Sequence, residues 1–140
     1  MSYDLKRTGA IRNLYLGISL FLILFGWIYE MFSHGVYSGF MMFAFTLPLL
    51  FVALPYALLH RMLKEKKNLR LSESAGAIYR SAILTATLGS LFNGVLKIYG
   101  TTNSLITVYI IAVPILLLLA FFAAKSTARY NNMKKTMIKK

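Results

Sequence analysis

Apolar residues run through this chain in four long stretches, each closed by polar or basic residues, at 11–32, 38–59, 75–99 and 104–124. A helix rises about 1.5 Å per residue and a bilayer's hydrocarbon core is about 30 Å thick, so a span needs roughly 20 apolar residues. At that rise Arg12 and Glu30 bracket about 27 Å of the first stretch, Ser38 and His60 about 33 Å of the second, and Arg80 and Lys97 about 26 Å of the third. The fourth is the most purely aliphatic. The pattern predicts four transmembrane helices. Four buried core helices of a soluble protein would leave no amphipathic helix to cover them. Lys6, Arg7 and Arg12 precede the first stretch as in a signal peptide. Bulky Trp27, Ile28 and Tyr29 stand where small cleavage-site residues belong, so an uncleaved anchor is expected.

The connections predict how the helices pair. Ser33 to Tyr37, with Gly35, joins the first two stretches, and Gly100 to Asn103 joins the last two. Turns this short force antiparallel neighbours. The expected fold is therefore an all-α polytopic membrane domain over residues 1–140. It consists of two antiparallel hairpins, a basic loop at 60–74 in which Ser72 can cap the third helix, and a basic tail at 125–140. The hairpins correspond weakly: Ile28, Tyr29, Ser38 and Pro48 match Ile98, Tyr99, Ser104 and Pro114, with serine and proline ten residues apart in both. A parallel repeat would leave this pattern. Pro48, Pro55 and Pro114 each remove a helical hydrogen bond and are candidate kinks.

Composition agrees with the pattern. Of 140 residues 58% are hydrophobic and 14% charged, against about 45–50% and about 25% in soluble domains. The net charge of +12 would suit nucleic acid, but the basic residues sit at the ends of apolar runs rather than along one face, so no nucleic-acid partner is expected. Fourteen of the 16 Lys and Arg flank the first span's start, fill the central loop or follow the fourth span. Arg80 lies close to the same side and Lys97 near the other. By the positive-inside rule both termini and the loop are cytoplasmic in a cell membrane, with anionic headgroups of the bilayer as the partner of the basic residues. Trp27, Tyr29, Phe32, Tyr37 and Tyr99 are read as aromatic anchors at the outer face, and Tyr15, Tyr56 and Tyr79 at the inner face. There is no cysteine, which removes disulfide and thiol chemistry.

Candidate chemistry gathers on the third span and at the outer turns. Ser81, Thr85, Gly89, Asn93 and Lys97 recur every four residues and form one ridge, beside Ala82, Ala86, Ser90 and Gly94. Small residues let helices approach, and polar ones hydrogen-bond between them, so this stripe is read as helix packing, with a polar conduit as the sharper alternative. Glu30 and Lys97 are the lone acid and base of the outer side. Each ends the first helix of its hairpin, and an ion pair between them is expected. His34, Asn93 and Asn103 complete a candidate polar site there. Glu30 and His34 are too few for a metal centre, and His60 lies on the opposite face. No catalytic or nucleotide-binding pattern appears, so no enzyme activity and no cofactor is expected.

The segments FSHGVYS (Phe32 to Ser38) and KIYGTTN (Lys97 to Asn103) resemble those of small, uncharacterised four-helix bacterial integral membrane proteins. That resemblance implies a membrane bundle and no assigned activity. Size and span count also suggest small multidrug transporters, whose acidic site is mid-membrane in the first helix, whereas Glu30 is at the helix end. The functional expectation is association, as a homo-oligomer or as a small subunit of a membrane complex. The alternative is a small transporter or channel with its outer mouth around Glu30 and Lys97.

Overall fold

The computed structural model describes residues 5–32, 38–65 and 72–138, and over these the chain is helical, with four rods long and apolar enough to cross a membrane. We label them α1 (Leu5–Phe32), α2 (Gly39–Lys64), α3 (Glu73–Ile98) and α4 (Leu105–Ile138). The expected turn at 33–37 and loop residues 66–71 lie outside the described residues.

α1 buries Thr8, Tyr15, Ser19, Leu22 and Gly26, a seam with steps of seven, four, three and four residues, which is one face of a helix. The seam meets α2 in opposite directions: Gly26 lies against the Met41 carbonyl and Gly9 against the His60 ring. Tyr15 then packs with Val52, Ala53, Tyr56, Leu63 and Ile83 in the main core cluster, nearer the basic end. Tyr15 and Tyr56 are therefore core residues and not the interfacial anchors expected from the sequence, because the seam's spacing carries Tyr15 inward and Tyr56 faces the same contact.

α2 is a rod of four pieces: Gly39–Met42, Thr46–Pro48, a π-helical turn Leu49–Ala53, and Leu54–Glu65. Pro48 has no N–H for the Ala44 carbonyl, which instead accepts from Leu47 at 3.4 Å, and the widened π turn follows at once. Near the start of the rod the Ala44 N–H bonds to Met41 at 3.3 Å, which leaves the Phe40 carbonyl without it. Pro55 likewise offers no N–H to Phe51. Both carbonyls are reached from α3: the Ser90 hydroxyl donates to Phe40 at 2.7 Å, and the Tyr79 hydroxyl donates to Phe51 at 2.8 Å. These two bonds tie α3 to α2.

α3 begins at Ser72, whose hydroxyl accepts from the Ala75 N–H at 3.3 Å, and Glu73 in its first turn complements the helix dipole. It ends where Gly100 takes φ 67°. The N–H of Gly100 bonds to Lys97 and that of Thr101 to Leu96, which closes the helix in a Schellman motif. α4 opens on Asn103, whose side-chain oxygen accepts from the Leu105 N–H at 2.9 Å. It then continues unbroken through Pro114 and on to Ile138, so the expected tail at 125–140 is helical as far as 138. Pro48 breaks its helix and Pro114 does not, so the positions that suggested a repeat have different structural consequences.

The four rods form an open row. α2 lies between α1 and α3, and α3 between α2 and α4; among the described residues no close backbone approach joins α1 to α4, α1 to α3 or α2 to α4. Two glycines set the spacing on either side of α3. A Cβ at Gly94 would stand 2.7 Å from the Met41 Cβ on α2, and one at Gly89 would stand 2.8 Å from the Tyr109 Cβ on α4. Gly94→Ala should therefore destabilise the protein by about 1–3 kcal/mol, through forced separation of α2 and α3. Gly17→Ala, where nothing lies within 4 Å, should cost nothing or add up to about 1 kcal/mol of helix stability. Unfolding of the two variants in mild detergent measures the difference.

Candidate functional site

The polar residues expected to meet at the end of the molecule away from the basic termini are dispersed. Among the described contacts Lys97 does not pair with Glu30. Its ammonium lies over the Phe40 ring, 4.2 Å from the centroid. It meets the first turn of α2 instead. Asn103 has its side-chain oxygen committed to the start of α4. Asn93 lines a groove beside Tyr109 and Ile106. Tyr29 of α1 and Tyr99 after α3 are close enough to interact through their hydroxyls. His34 lies outside the described residues.

The stripe on α3 divides between two neighbours. Ser90 and Gly94 face α2, while Gly89 and Asn93 face α4. Ala82 is fully buried, and Ala86 lines the groove with Asn93. Ser81 is exposed, and its carbonyl accepts the Thr85 hydroxyl at 2.8 Å, a bond within the helix. Most hydroxyls on this helix thus serve backbone carbonyls, and they form no continuous polar track.

One polar pocket does form at this end. It has a volume of about 420 Å³ and is walled by Phe40, Phe43 and Leu47, with Lys97, Ser38 and Ser90 supplying polar groups. Ser38 occupies the residue before the first turn of α2, with extended backbone (φ −122°, ψ 111°), and its carbonyl accepts from Met41 and Met42. A serine there ordinarily turns its hydroxyl onto the helix's free N–H groups. Here it does not: the Ser38 hydroxyl is buried and has no hydrogen-bond partner. Reading the sequence missed Ser38 and Phe40, because a serine opening an apolar run looks like an ordinary cap.

A second polar network occupies the basic end. Arg7 of α1 pairs with Glu73 of α3. The His60 ring nitrogen lies 3.3 Å from the Thr8 hydroxyl, and the Thr127 hydroxyl of α4 donates to Ser72 at 3.0 Å. Arg80 donates to the Tyr56 hydroxyl at 2.7 Å and stacks over the ring at 5.6 Å. Every neighbouring pair of rods has a polar tie here. Along α3, between α2 and α4, run two laterally open apolar grooves of about 590 Å³ in the basic half and about 480 Å³ in the other. Among the described residues no cluster of three His, Asp or Glu stands ready for a metal.

Comparison with protein-family models, with curated proteins and with solved structures finds no match to this chain.

Arg7 is half exposed, which limits what its ion pair contributes. A double-mutant cycle with Arg7→Gln and Glu73→Gln should give a coupling of no more than about 1 kcal/mol in unfolding experiments, shrinking as salt is raised. A coupling that is unchanged between low and high salt would show that the pair is shielded from solvent.

Proposed function

We propose that this chain is a multi-pass protein of the cell membrane, arranged as two antiparallel hairpins with both termini and the basic loop in the cytoplasm. It acts by lateral association, as a homo-oligomer or as a small subunit of a membrane complex. The observation that carries the membrane part of the reading is α4, while association rests on the open grooves beside α3. It is the most apolar rod, with a mean hydropathy of 2.8 over its best window, yet only 6% of that window is buried, and among the described residues its one close neighbour is α3. In lipid such a face is soluble without a partner, and helix packing in a bilayer rests on shape and small residues. The open grooves beside α3 supply that shape.

A small transporter or channel is the second reading, favoured by Lys97 in a polar pocket. A row of four rods encloses no passage by itself, so a conduit would require further copies to close it. The same purification separates the readings. In mild detergent the association reading expects a mass of at least two chains or a stoichiometric partner, with Leu118→Trp on the bare face of α4 moving the population toward the single chain. The transport reading expects a self-contained oligomer that conducts ions or solute in proteoliposomes.

Topology is directly testable because the natural chain has no cysteine. In intact cells Thr101→Cys should react with a membrane-impermeant maleimide, and Ser126→Cys should react only after permeabilisation. The reverse pattern would invert the orientation.

A further inference from the structure

Lys97 sits at the last turn of α3 but is turned back along it. Its ammonium lies over Phe40, whose carbonyl is level with Ser90. Helical side chains lean toward the N-terminus, and the aromatic face attracts the cation. The ring occupies one side of the ammonium and accepts no conventional hydrogen bond, whereas the group carries three N–H donors. Among the described residues none of these donors is used in a hydrogen bond, and no carboxylate lies within ion-pair distance. Lys97 lines the same pocket as Ser38, whose hydroxyl is buried and without a hydrogen-bond partner. From Ser38 the pocket extends past Phe40 and Phe43 to Thr46 and Leu47. The uncommitted donors, on Lys97 and Ser38, belong to one end, while the hydroxyls of Thr46 and Ser90 are already given to the Phe43 and Phe40 carbonyls.

We infer that this pocket binds the anionic head of a membrane amphiphile, with phosphate or carboxylate oxygens on the Lys97 ammonium and the Ser38 hydroxyl and the first part of an acyl chain along Phe43 and Leu47. The site is separate from the basic end and from the apolar groove there. It rests on the membrane reading and not on association. Charge-assisted hydrogen bonds of this kind favour an anion strongly once water is displaced.

The test uses the full chain in a mild non-ionic detergent, titrated separately with phosphatidylglycerol, phosphatidylcholine and inorganic phosphate and read by native mass spectrometry. Phosphatidylglycerol should be retained in preference to the other two. Lys97→Met should weaken its retention about tenfold, Ser38→Ala by a smaller factor, and Lys97→Arg should preserve most of it. Arg129→Met at the basic end should leave it unchanged. Equal retention of phosphatidylcholine, or of phosphatidylglycerol by Lys97→Met, would overturn the site. Inorganic phosphate binding as tightly as the lipid would show a solution anion as ligand and overturn the amphiphile. Circular dichroism of each variant separates lost binding from lost folding. Recovery of the chain in the water-soluble fraction without detergent would instead defeat the membrane reading beneath the proposal.

Discussion

A peptide carbonyl deprived of its helical N–H must find a donor elsewhere wherever water is excluded, as it would be in the bilayer proposed above, and two such carbonyls tie α2 to α3. α2 has two such carbonyls, at Phe40 beside its broken first turn and at Phe51 four residues before Pro55. Ser90 and Tyr79 reach across from α3 to both. The break in one helix and the hydroxyls of the next are complementary. This also accounts for the low hydropathy of α3, which at 1.3 is the least apolar of the four rods. Its polar side chains look like a pathway in the sequence, yet its hydroxyls act mainly as donors to backbone carbonyls.

The same contacts explain the open row. α3 is held to α2 by hydrogen bonds and by the close approach at Gly94, and to α4 by the close approach at Gly89 and the Ser72–Thr127 bond. Those ties use two sides of α3. Nothing comparable among the described residues of α4 calls for a second neighbour, and its exposed large hydrophobic residues are mainly leucine, isoleucine and phenylalanine. A hydrocarbon solvent would cover that surface at no cost, whereas water would not. The open arrangement and the membrane reading therefore support each other.

The two ends differ in more than charge count. At the basic end each neighbouring pair of rods is tied by side chains: Thr8 with His60, Arg80 with Tyr56, Ser72 with Thr127, and α1 to α3 by Arg7 with Glu73. At the other end the backbone does most of the closing, through the Schellman turn at Gly100 and the Asn103 cap. Lys97 and Ser38 are left with donors that no described residue uses, and this is where a ligand site is proposed.

Helix number, approximate limits and the gathering of charge at one end were legible in the sequence, because they depend on run lengths of apolar residues and on where Lys and Arg fall along the chain. The Ser72 cap was equally local and could be read directly. Which residues meet was another matter. Glu30 and Lys97 occupy matching helix ends, and nothing local tells that Lys97 will meet the first turn of α2 instead. The α3 stripe announced close packing, but its division between Met41 on one side and Tyr109 on the other is a property of the row. Tyr15 and Tyr56 have the composition of interfacial anchors and became core only through the seam of α1 on α2. Pro48 and Pro114 are identical in sequence terms, yet one is followed by a π turn and the other lies in an unbroken helix. Periodicity and charge are properties of a segment and survive without partners, while register, neighbour order and the fate of a freed carbonyl exist only between segments, so the tertiary structure alone decided them.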